Sequence, residues 1–92
     1  MTPPKLPLVV VEWLDHITRS GWQDHKDTAK LEPATIFTIG WVVNETDTVL
    51  TIAGAVDVSA DADDNFNNIF LIIKGCIVSR KEIDEKGQLV LG

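Results

Sequence analysis

The chain has 92 residues, of which 45% are hydrophobic, and a formal net charge of −6. That length suffices for one packed domain and not for two. The apolar share excludes general disorder, and the negative charge argues against binding to a nucleic-acid backbone. The longest apolar runs, Leu8–Val11 and Ile69–Ile73, are far shorter than the ~20 residues a membrane-spanning helix needs.

Residues 1–7 (MTPPKLP) show no secretory signal pattern and predict an extended, flexible N-terminal arm. Leu8–Leu14 (LVVVEWL) is β-branched and apolar, the composition of a strand. Asp15–Pro33 is a long polar connection. Within it Ser20 and Gln23 have the spacing of a helix capping box. A short helix from about Gly21 to Leu31 is predicted there, stopped by Pro33 and needing to dock on the rest of the fold.

Thr35–Asn44 (TIFTIGWVVN) alternates cleanly. Phe37, Ile39, Trp41 and Val43 fall on one face and are predicted to be core. Asn44–Asp47 reads as a turn, with Thr48–Val58 as its hairpin partner. Gly54 marks a bulge or a close backbone approach. Ser59–Asn67 (SADADDNFN) is an acidic loop. Asn68–Ile73 (NIFLII) is apolar throughout, so both of its faces are expected to be covered. Lys74-Gly75 is a tight break before a strand over Cys76–Ile83. Asp84–Gly87 is a turn that lets Gln88–Leu91 close a last hairpin.

The pattern predicts a single mainly-β domain over residues 1–92, a small barrel of five to six strands with one short helix in the first long loop. Its long first loop and abrupt break before the last main strand are the layout of SH3-like and Sm-like barrels. The order of landmarks is Val-Glu-Trp-Leu-Asp-His, then Gly21-Trp22, Pro33, Ile39-Gly40-Trp41-Val42, and Ile72-Ile73-Lys74 leading into Ile77. It resembles a loose group of small uncharacterised phage and prophage proteins. Members of that group have proline where Ile73 stands here. The resemblance spans about residues 8–83 and implies a phage accessory protein acting in a bacterial cytoplasm; it supplies no catalytic residues.

Cys76 is the one cysteine, so an internal disulfide and a Cys-based zinc site are excluded; it reads as a small buried side chain. Asp15-His16 has the makings of a general base, but neighbours at a strand end point in different directions and no Ser or Cys completes a triad. His16, His25, Asp15, Asp24 and Asp27 lack the spacing of a metal site. Asp61–Asn65 resembles the start of a calcium loop, but Phe66 replaces the required Gly and Ile72 stands where the last Glu belongs. No enzyme, metal or cofactor is therefore expected.

The candidate ligand-binding residues are Trp13, Asp15, His16, Trp22, Lys74 and Arg80. Trp13 and Trp22 offer stacking surfaces for a planar ligand, although Trp22 reads equally as a plug that pins its loop. Lys74, Arg80 and Lys81 form a basic cluster that suits a phosphate or protects an edge strand. Two functions follow as expectations. One is a non-catalytic protein that sequesters a small phosphorylated ligand, such as a nucleotide-like immune signal of the host. The other is an acidic interaction module that inhibits a host protein. The doubly apolar strand Asn68–Ile73 predicts a homo-oligomer.

Overall fold

A computed structural model describes residues 4–18, 20–59, 65–84 and 86–90. The elements in chain order are β1 (Leu8–Asp15), α1 (His25–Ala29), β2 (Ala34–Glu45), β3 (Val49–Asp57), β4 (Asn65–Ile73), a one-turn 3-10 helix (Lys74–Cys76) and β5 (Ile77–Ile83). The five strands form one antiparallel sheet in the order β4-β3-β2-β1-β5. The predicted barrel is not closed. β4 and β5 are the two free edges, and closure would require them to pair with each other. Among the described residues the expected sixth strand is reduced to a single bridge, Ile83 to Leu89.

The sheet nevertheless curls around its own core. Arg80 on β5 lies in register with Val11, and Val11 with Thr38. Yet the Arg80 side chain bonds to Glu45, seven residues further along β2. Seven residues of straight strand cover about 23 Å, much more than an arginine spans. β2 must therefore bend back over the sheet. Two features allow it. At Gly40 an added Cβ would collide with Ile52 Cγ2 and lie 2.6 Å from the Ala53 carbonyl oxygen, so only glycine lets β3 approach so closely. Between Val42 and Asn44 the register slips by one residue, a bulge that sharpens the local twist.

The bend folds two half-sheets onto one core. Val9 and Val11 from β1 meet Val42, Leu50, Ile52 and Ile72 from the other half, with Trp13 and Ile77 packed against them. This reverses the predicted face of β2. Thr38, Gly40 and Val42 point inward, while Phe37 is 67% and Ile39 61% exposed, and Trp41 and Val43 are only half-buried. The alternation was real, but the larger side chains lie on the outer, convex face. The concave face of a tightly bent strand holds only the smaller set.

Other boundaries moved for local reasons. The helix is five residues long and begins after Asp24, whose carboxylate accepts from Asp27 N at 2.7 Å. Gly21, at φ +86°, leaves the helical region, so the Ser20–Gln23 box caps nothing. α1 buries no residue, so the expected docking is absent. β4 starts at Asn65, taking Asn65–Asn67 out of the predicted acidic loop. The rest of that loop, residues 60–64, lies outside the described residues. At Gly54 the close neighbour is a side chain: opposite it Asn68 sits at φ 56°, and a Cβ on Gly54 would come within 3.1 Å of Asn68 Cβ. The predicted arm is partly held, because Val42 N donates to the Pro7 carbonyl at 2.8 Å and Leu6 is half-buried.

Candidate functional site

The six candidate residues do not form one site. Trp13 belongs to the core. Its ring packs against the buried cluster, and its Nε1–H donates to Thr38 Oγ1 at 3.0 Å. That bond satisfies the indole and the buried Thr38 hydroxyl together. The ring is therefore engaged on the concave side.

Asp15 and His16 stand at the mouth of the first long connection, with 3.7 Å between Asp15 Oδ1 and His16 Nδ1. The His16 side chain is 96% exposed. At that separation the two side chains share no hydrogen bond. Among the described residues no group of three or more His, Cys, Asp or Glu is arranged to hold a metal ion.

Trp22 is completely exposed, so it does not pin its loop. Every described residue from His16 to Pro33 is exposed as well. Within this segment, the turn at Asp24–Leu31 is held by the Asp24 cap and by Thr28, whose N–H and hydroxyl both donate to the Asp24 carbonyl, at 3.0 and 2.8 Å. The indole is carried immediately before this short capped turn.

Lys74 and Arg80 do come together, but around a carboxylate that the sequence reading passed over. Glu45, at the end of β2, takes Lys74 Nζ at 2.7 Å. It also takes both terminal nitrogens of Arg80, at 2.9 and 3.1 Å. Bidentate pairing of this kind is the strongest geometry open to an arginine and a carboxylate. The Arg80 hydrogen bonds, then that from Lys74, hold the Glu45 carboxyl down to about 2. The same contact raises Arg80. Lys81 is not part of the group. It pairs with Val10 while Arg80 pairs with Val11, so the two point to opposite faces of the sheet. The three-residue basic cluster is thus a clasp of two cations and one anion tying β2, the 3-10 turn and β5. Glu45 lies 29 residues from Lys74 and 35 from Arg80 in the chain, and no local spacing signals that meeting.

Comparison with known proteins finds no matching family model, no matching curated protein and no matching solved structure. No described helix is long and apolar enough to cross a membrane.

Proposed function

We propose that this chain is a non-catalytic binding module that takes a protein partner on its Asp15–Pro33 connection, with Trp22 as the anchor. The observation that carries this reading is the fully exposed Trp22 ring, two residues before the Asp24 cap of α1. A bare indole contributes nothing to folding, whereas buried in a partner's pocket it is among the strongest contributors to an interface. Long connections with little secondary structure are commonly functional. The net charge of −6 favours a basic partner. With the phage-like landmarks, this points to a host protein whose action the module blocks in the bacterial cytoplasm. The strand order, with one 3-10 turn between the two edge strands, is consistent with an SH3-like or Sm-like barrel laid open.

The test compares proteins retained from bacterial lysate by the immobilised chain and by Trp22→Ala. A protein held by the former and lost by the latter, with equal melting temperatures, supports the reading. Equal retention by both overturns it.

A second reading, capture of a small phosphorylated ligand, draws on the same ring and on the convergence of Lys74 and Arg80. It requires the phosphate to displace Glu45 from both cations. A saturable rise in melting temperature with cyclic or ADP-ribose-type nucleotides, lost in Trp22→Ala and in Lys74→Ala, would favour it, since a ligand stabilises the state it binds. A flat panel would remove it.

A further inference from the structure

We propose that β4 pairs edge to edge with β4 of a second copy, making a two-fold dimer with one continuous sheet. The two free edges of this sheet differ sharply. β5 carries Arg80, Lys81 and Glu82 in sequence, and the segment after it covers part of its free side, with Val90 N donating to the Glu82 carbonyl at 2.8 Å. Charge and a covering segment are the ordinary ways in which an edge is protected. β4 has neither. Its nine residues, Asn65–Ile73 (NFNNIFLII), include no charge and no proline, and Ile69, Leu71 and Ile73 are 43%, 69% and 63% exposed.

The ladder shows which way the β4 backbone points. Lys74 N donates to the Thr48 carbonyl, so Val49 and Ile73 form a pair that shares no hydrogen bond. The Ile73 N–H therefore faces away from β3. By alternation so does that of Leu71. These donors and their carbonyls line a free edge long enough to template another strand.

Charge selects a second copy as the occupant: the chain carries −6, yet β4 is uncharged, so two copies meet there without opposing like charges. Pairing β4 with β5 of another copy would instead set this apolar strand against Arg80, Lys81 and Glu82. Two-fold symmetry, the commonest in soluble assemblies, sets the two β4 strands antiparallel when its axis is normal to the sheet.

The experiment is sedimentation equilibrium at micromolar concentration, joined to cysteine cross-linking. The unaltered chain should sediment at twice its 10.1 kDa mass, and Leu71→Lys at the mass of one chain. Lys81→Glu, on the other edge, should remain a dimer. In a Cys76→Ser background, single cysteines replace Asn67, Asn68, Ile69, Phe70, Leu71 and Ile73 in turn. A two-fold antiparallel pair sets one β4 position directly opposite its own copy, about 5 Å apart. Disulfide formation should therefore peak sharply along the strand. This readout does not depend on how Leu71→Lys folds. A monomeric parent chain, a larger ring without β4 self-cross-links, or uniform cross-linking would each overturn the proposal.

Discussion

Arg80 reaches across the concave face of the sheet to grip Glu45 with two hydrogen bonds, 2.9 and 3.1 Å long. The contact joins β5, at one edge, to the far end of β2, which is not its neighbour in the sheet. It acts as a clasp across the curl, and Lys74 adds a second cation from the turn between β4 and β5.

The clasp makes stability depend on acid. The Glu45 carboxyl lies at about 2 in the folded chain against an ordinary 4.5. A group whose folded value is depressed contributes fully above its unfolded value and loses that contribution as pH falls through the folded value. Stability should therefore decline between about pH 4.5 and pH 2. Glu45→Gln should flatten that part of the acid-unfolding curve and, because the site is well solvated, cost about 1 kcal/mol at neutral pH. Urea unfolding of both chains from pH 2 to 7 checks this. Parallel curves would remove Glu45 as the source.

Gly40 sets how tightly β2 can pass β3. An alanine Cβ there would collide with Ile52 Cγ2 and press on the backbone of Ala53, which has no flexible end to move aside. Gly40→Ala should destabilise the protein by about 1–3 kcal/mol, the usual cost of overpacking. Gly75→Ala, whose Cβ meets nothing within 4 Å, should not. Denaturant midpoints of the two variants make the comparison.

The backbone at Ile73 has φ −70°, the angle to which proline is locked, and its N–H faces away from β3. At concentrations where the chain is monomeric, Ile73→Pro should therefore leave the unfolding midpoint unchanged or raise stability by up to about 1 kcal/mol, by restricting the unfolded chain. A larger loss under those conditions would mean that this N–H has a partner within the protomer.

Much of the fold was legible in the chain. Leu8–Leu14, Thr35–Asn44, Thr48–Val58 and Cys76–Ile83 were recognisable as strands, because β-branched runs bounded by turn residues have few other uses. The Asp84–Gly87 turn also appears, with Gly87 at φ +80° and its N–H on the Asp84 carbonyl. The site was legible only in part. Three tryptophans stood out, but which of them was core depended on the curl: Trp13 is locked to Thr38 and Trp22 is bare.

The sequence by itself determined the strand content, the positions of the turns, the acidic balance and the apolar character of β4. These depend on neighbours in the chain and on composition. Only the tertiary structure decided which face of β2 is buried, that the sheet curls without closing, and that Glu45 binds both Lys74 and Arg80. Period-two alternation marks Phe37, Ile39, Trp41 and Val43 as the more apolar face of β2, and that face lies outward. The choice follows from the bend at Gly40 and the bulge after Val42, which admit the smaller face to the concave side. The clasp likewise unites residues that only that bend brings within reach.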